Sequence, residues 1–219
     1  DSVWKTSSEI TEAVEELSAR CLLAYEVNPD LVEEHFAIER EIAEGGYGRR
    51  QIYELVQNGA DAMLGTQGKR IEVVLSNDYL YCANEGESIT SDGVRAILGA
   101  HRSAKRGNEI GRFGLGFKSV LAVTDAPEFY SRSGSFRFEP HSSARQIAKV
   151  AQAEPQRVPR LRLSFPVDAV DAARSDALLA ELMEWATTVV RLPLNSEGNR
   201  WLAEDLKKFP PEFVLFSSH

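Results

Sequence analysis

A β-hairpin signature with helical periodicity on both sides is the feature that most constrains this chain. Ile71, Val73 and Leu75 alternate with polar or second-face residues, Ser76-Asn-Asp78 supplies turn chemistry, and Tyr79 to Ala83 reads as the returning strand. Upstream, Ser7 to about Ala24 carries a helical stripe of Ile10, Ala13, Val14, Leu17, Cys21 and Leu22. A second helix is predicted from near Asp30 to Ala43, ending at Gly45-Gly46, and a third from about Arg49 to Leu64, with Ile52, Leu55, Val56, Gly59 and Met63 in one narrow arc. Downstream, Ser91 offers an N-cap for a short helix that Gly99 should end. Glu128 to Arg132 and Ser135 to Glu139 flank Ser133-Gly134 as a second hairpin, Arg160 to Phe165 and Thr188 to Leu194 read as further strands, and Asp176 to Trp185 and Glu197 to Lys208 as further helices. The polar, proline-bearing stretch from His141 to Pro159 has no clear period. This order predicts an α+β two-layer sandwich: a mixed, mostly antiparallel sheet with helices on one face. Residues 1–48 form a helical lead-in packed on a unit spanning 49–219.

Composition narrows the function. With 219 residues, 43% of them hydrophobic, the chain can build a real core. It has no apolar run of membrane-span length and no secretory leader pattern, so no membrane association is expected. A formal charge of -8 argues against gripping nucleic acid through the overall field. Cys21 and Cys82 lack metal-ligand spacing, which favours a reducing, cytoplasmic setting, and the four histidines are scattered. The start at Asp1 and the finish just after Phe213-Val-Leu-Phe216 suggest a fragment of a longer protein.

Three segments carry candidate chemistry. Gly111-Arg-Phe-Gly-Leu-Gly116 leads into Phe117-Lys-Ser-Val-Leu-Ala-Val123, and a glycine cluster opening a helix either makes a tight turn or lets backbone amides approach a phosphate. It follows Ala100 to Ile110, which has no apolar period and reads as an exposed loop. On the third helix Glu54, Asn58 and Asp61 stand at i, i+4 and i+7, opposite the apolar arc. That face is either simply solvated or suited to metal-assisted hydrolysis, one carboxylate activating water while an amide oxygen coordinates Mg²⁺. In Ala83-Asn-Glu-Gly-Glu-Ser-Ile-Thr90 a strand breaks into a turn, where Asn84 can present a carbonyl oxygen to an exocyclic amine and Gly86 lets a planar base approach.

In this order and spacing the segments resemble the GHKL superfamily of ATPases, which includes the ninety-kilodalton heat-shock chaperones, gyrase B, MutL and the sensor histidine kinases. Glu54-Leu-Val-Gln-Asn58-Gly-Ala-Asp61-Ala62 is similar to the family's first motif, Asn84-Glu-Gly86-Glu-Ser88-Ile89-Thr90 to its adenine motif, and Ile110-Gly-Arg-Phe-Gly-Leu-Gly-Phe-Lys-Ser119 to its phosphate motif. Thr187-Thr188-Val-Val190-Arg-Leu192-Pro-Leu194 resembles the late strand whose threonine helps to bind adenine. Gly46-Tyr47 and Phe113-Gly-Leu-Gly-Phe-Lys118 bring the likeness closest to the sacsin-type branch, found at the N-terminal end of large multidomain proteins and including chaperone-like members and bacterial members tied to defence or nucleic-acid processing. The resemblance implies a Bergerat-type ATP-binding fold with ATP and Mg²⁺ as cofactors. Glu54 would be the general base, Asn58 the Mg²⁺ ligand, Asp61 a support at the base of the pocket, and Asn84, Gly86, Ile89 and Thr188 the adenine end. Gly111, Arg112, Phe113, Gly114, Leu115, Gly116 and Phe117 would line the γ-phosphate, while Lys118 either adds charge or faces solvent. Ala100 to Ile110 would be the ATP lid, with Arg102, Ser103 and Lys105 as its phosphate contacts.

The resemblance further implies slow hydrolysis that drives lid closure within a larger protein, acting on neighbouring domains, a client protein or nucleic acid, with nucleotide-dependent dimerisation open. The family usually has aspartate where Asn84 stands and glycine where Ser88 stands, and an amide forgoes the strength of a charge-assisted hydrogen bond. A nucleotide-sensing module without useful hydrolysis is therefore the alternative. A histidine kinase fits less well, since no histidine falls in a dimerisation helix.

Overall fold

The alternation that predicts the first hairpin produces β1 (Ile71–Leu75) and β2 (Tyr79–Asn84), paired antiparallel with Leu75 opposite Leu80 and Ile71 opposite Asn84. Ser76 closes the turn, its N–H and Oγ–H both donating to the Tyr79 carbonyl. The structure, a computed structural model, describes residues 3–5, 7–44, 67, 70–99, 119–195, 202–204, 207 and 214–216. The second hairpin is β3 (Glu128–Ser131) and β4 (Ser135–Phe138), and β5 (Ser164–Val167), β6 (Thr188–Pro193) and β7 (Val214–Phe216) complete the sheet. Its order is β5-β4-β3-β6-β2-β1-β7, antiparallel throughout except that β7 runs parallel to β1. The α+β fold expected from the sequence, a mostly antiparallel sheet with helices packed on it, is what forms, and short helices cover the second face as well.

Strand periodicity sorts the side chains into two cores. Val73, Leu75, Leu80, Cys82, Phe129, Phe136, Phe138 and Leu192 point to one face. There they meet Ile10, Ala13 and Val14 of α1 (Ser8–Val27) and Val94, Ile97 and Leu98 of α3 (Ser91–Gly99). The Phe129 and Phe136 rings stack with centroids 4.9 Å apart. Val74, Tyr81, Ala83, Tyr130 and Val189 point the other way, where the short helices α5 (Ala169–Arg174) and α6 (Ala177–Trp185) cover them with Ala169, Leu179, Leu182 and Met183. Trp4 joins this second cluster and donates its indole N–H to the Met183 carbonyl at 3.1 Å.

Several boundaries differ from expectation for local reasons. The N-cap of α3 is Thr90, whose hydroxyl accepts from Gly93 N–H at 3.1 Å, while Ser91 donates to Glu9 of α1 at 2.7 Å. Part of the unassigned 141–159 stretch is α4 (Pro140–Ala151), started by Pro140 in the first turn and ended by Gln152 at φ 53°. The strand expected over Arg160 to Phe165 lies at Ser164–Val167, because the backbone N–H groups of Arg160 and Leu161 instead bond the buried Glu39 carboxylate of α2 (Asp30–Glu44). The expected helix Arg49 to Leu64 lies outside the described residues, as does most of Glu197 to Lys208, of which 202–204 are helical.

The buried ion cluster around Arg191 joins the sheet to α6. The guanidinium bonds Glu128 of β3, Asp176 and, at 2.9 Å, the Tyr130 hydroxyl. Tyr130 donates to Glu128 at 2.8 Å and Tyr81 to Asp176 at 2.9 Å, and Asp176 also caps α6 by accepting from Leu179 N–H at 2.9 Å. Burial, and then the carboxylate each one faces, pushes both phenols far above the ordinary tyrosine range. Burial opposes the Arg191 charge, but Glu128, Tyr130 and Asp176 together outweigh it, so the guanidinium stays ionised. Removing one member strands the others. We expect Arg191→Met to lower unfolding free energy by about 3–5 kcal/mol, measured in urea, because two carboxylates lose their counter-charge.

Gly134 turns the second hairpin at φ +155°, and a Cβ there would lie 2.7 Å from Ile10 of α1. Ser7 N–H donates to the Ser133 carbonyl at 2.9 Å beside it, so hairpin and helix meet closely. Gly134→Ala should cost about 1–3 kcal/mol of stability through overpacking, read as a lowered thermal midpoint.

Candidate functional site

Three adjacent strands end together in a row of polar side chains. Asn84, the last residue of β2, lies opposite Thr188, the first of β6, and Thr188 lies opposite Ser131, the last of β3. Directly opposed residues share a sheet face, here the face of Cys82, Val190 and Phe129, covered by α1 and α3. All three are buried, with 5%, 6% and 0% of their surface exposed. Polar groups so placed cost stability unless hydrogen-bonded.

The partners make a connected set. The Ser131 and Thr188 hydroxyls are 3.1 Å apart, and Ser131 Oγ also accepts from Ile89 N–H at 3.0 Å. Ser133 Oγ donates to the Ile89 carbonyl at 2.6 Å, so both backbone groups of Ile89 are held by the β3–β4 hairpin. Asn84 Oδ1 accepts from Gly86 N–H at 2.9 Å, closing an Asx turn where the strand breaks. The Asn84 carbonyl accepts from Thr187 N–H at 2.8 Å. Loop 84–90 is thus fixed at its start by β6, at Ile89 by the second hairpin, and at its end by the Thr90 cap.

Of the residues singled out in the sequence, Asn84, Gly86, Ile89 and Thr188 come together here although Asn84 and Thr188 are far apart in the chain. Glu54, Asn58, Asp61, Ser103, Lys105, Gly111, Arg112, Phe113, Gly114, Leu115, Gly116, Phe117 and Lys118 lie outside the described residues, as does Arg102. Ser131 and Ser133 escape the sequence reading, which takes them only as hairpin and turn. What would reveal them is the register across β6, a long-range pairing that local periodicity does not contain. Cys82, behind the row in β2, is fully buried, and burial pushes its thiol up to about 12. Among the described residues no helix is long and apolar enough to cross a membrane.

An antiparallel sheet backed by helices, with a polar row at the mouth of three strands, defines an α+β domain with a candidate ligand-reading edge. The Sacsin domain family model matches residues 73–208, well over half of the chain, and the chain belongs to that family. It is 33% identical to Protein NO VEIN of Arabidopsis thaliana over 91 residues, 40% of this chain and 3% of that protein. It is 36% identical to human Sacsin over 64 residues, 28% of this chain and 1% of that protein. The chain thus corresponds to a very small part of either relative.

Replacing Ser131 by alanine leaves the half-buried Ile89 N–H without its acceptor and Thr188 without its neighbour. A loss of about 1–3 kcal/mol in urea unfolding is expected. Hydrogen exchange at the Ile89 amide should quicken beyond what that global loss explains.

Proposed function

We propose that this domain is a GHKL-type nucleotide switch that binds ATP with Mg²⁺ and hydrolyses it slowly, so that lid closure alters its docking on neighbouring domains of a longer cytoplasmic protein. The observation that carries this reading is the Asn84–Thr188–Ser131 row, which sets an amide and two hydroxyls side by side at the end of β2, β6 and β3. A planar base needs such a rim: a few fixed polar groups on an otherwise apolar wall. Membership of the Sacsin domain family and the order of the motifs along the chain support it too.

In this reading Asn84, Gly86, Ile89 and Thr188 hold the base, Gly111 to Lys118 the phosphates, and Ser103 and Lys105 close over them. Asn58 holds the Mg²⁺, which neutralises phosphate charge when bound. Glu54 takes the proton from the attacking water, and Asp61 supports the pocket base. Hydrolysis is slow because phosphoryl transfer depends on positive charge around the γ-phosphate, and the sequence offers no obvious candidate for the cation that GHKL ATPases often borrow from a following domain. What the switch acts on, a client protein, a nucleic acid or a second copy, is set by domains other than this one.

Asn84 also favours a second reading, a sensor that binds nucleotide without useful turnover, because its amide lacks the charge of an aspartate. Calorimetry with ADP and a nonhydrolysable ATP analogue, beside a phosphate-release assay on the longer protein, separates the two. Glu54→Ala should cut turnover by at least about 100-fold, the usual scale for a lost general base, while leaving affinity within about twofold. Asn58→Ala should weaken binding only when Mg²⁺ is present. MgATP binding with no phosphate release in the longer protein would leave the sensor standing; no nucleotide binding at all would overturn both.

A further inference from the structure

We infer that the base rim at Asn84 is not selective for adenine and admits 6-oxopurine nucleotides, those of guanine and hypoxanthine, about as well. This rests on the nucleotide-binding reading above and specifies its substrate class.

The orientation of the Asn84 amide is fixed by chemistry. Gly86 N–H can only donate, so the atom 2.9 Å from it is the amide oxygen. The –NH₂ group is therefore turned away from the Asx turn. It belongs to a residue only 5% exposed, in register with Thr188 across the strand pair.

A carboxylate in this position would offer acceptors alone. That suits the 6-amino group of adenine and repels the 6-oxo group of guanine or hypoxanthine, since the two bases present opposite groups at that position. The Asn84 amide has both characters: the second lone pair of Oδ1 can accept from an amine or from a ring N–H, and Nδ2 can donate to a ring nitrogen or to an oxo group. Thr188 does not restore the discrimination. Its hydroxyl, 3.1 Å from that of Ser131, can donate or accept, and the Ser131 hydroxyl can turn to match it. Among the described side chains of the rim, none is purely an acceptor. Strong selection needs a group that the wrong base leaves unpaired, and this rim provides none.

The test compares binding of the Mg²⁺ complexes of nonhydrolysable ATP, GTP and ITP analogues to the longer protein and to its Asn84→Asp variant. ITP carries the 6-oxo group without the 2-amino group, so it isolates position 6. An aspartate oxygen can still accept from Gly86 N–H, so the turn should survive, and urea unfolding checks that it does. For the native residue both 6-oxopurine analogues should bind within about tenfold of the ATP analogue, a span of about 1.4 kcal/mol. Asn84→Asp should widen the preference for adenine by at least tenfold. Asn84→Ala should weaken all three by similar factors.

Native protein that prefers the ATP analogue by more than tenfold over the ITP analogue overturns this inference and leaves the nucleotide-binding reading intact. So does an Asn84→Asp variant, folded as the native protein, with unchanged selectivity. Failure of all three analogues to bind overturns both.

Discussion

The guanidinium of Arg191 fixes the register on which the rest of the molecule depends. Among the described residues strand β6 joins the two halves of the sheet, pairing with β2 on one side and β3 on the other. A slip of one residue would turn each of its side chains to the opposite face. Arg191 prevents that by reaching Glu128 on β3 and Asp176 ahead of α6 from the same buried position. With Arg191 committed to the α6 face, Thr188 and Val190 must face α1 and α3. Thr188 is thereby delivered between Asn84 and Ser131. A charge cluster on one side of the sheet determines which polar groups appear on the other.

Position alone would not make that row rigid. Ser131 has no exposed surface and shares its hydroxyl between Thr188 and the Ile89 N–H, while Ser133 takes the Ile89 carbonyl. The hairpin that carries both serines is itself pressed against α1 by Gly134 and by the Ser7–Ser133 backbone bond. Helix α1 returns to the same loop from the other end through Glu9 and Ser91. The loop that offers Asn84 and Ile89 is therefore clamped by two elements distant in sequence. Such preorganisation lowers the ordering cost that binding at these groups would otherwise carry.

What the sequence discloses follows the range of the forces involved. Both hairpins and the helices α1, α2 and α6 show as local periodicity, since one face of each is buried. Helix α4 is masked by its polar composition, although Ala144, Ile147 and Ala151 stand at helical spacing on its buried side. Strand β7 is three residues long and owes its state to pairing beside β1. Glu39 illustrates the same limit: a charged residue on a solvated-looking helix is 4% exposed and organises the backbone at Arg160 and Leu161, which displaces β5. In the candidate site, Asn84 and Thr188 could be named from motif likeness, whereas Ser131 depends on cross-strand register.

The family match runs from residue 73 to residue 208. It therefore takes in the polar row and the glycine cluster at Gly111 to Gly116, and it begins after Glu54 and Asn58. In the proposed reading the groups that hold the base draw on the sheet, whose register Arg191 enforces, while Glu54 and Asn58 belong to a segment ahead of β1. In that reading the uncharged Asn84 relaxes the choice of base without disturbing the Gly86 turn that positions it.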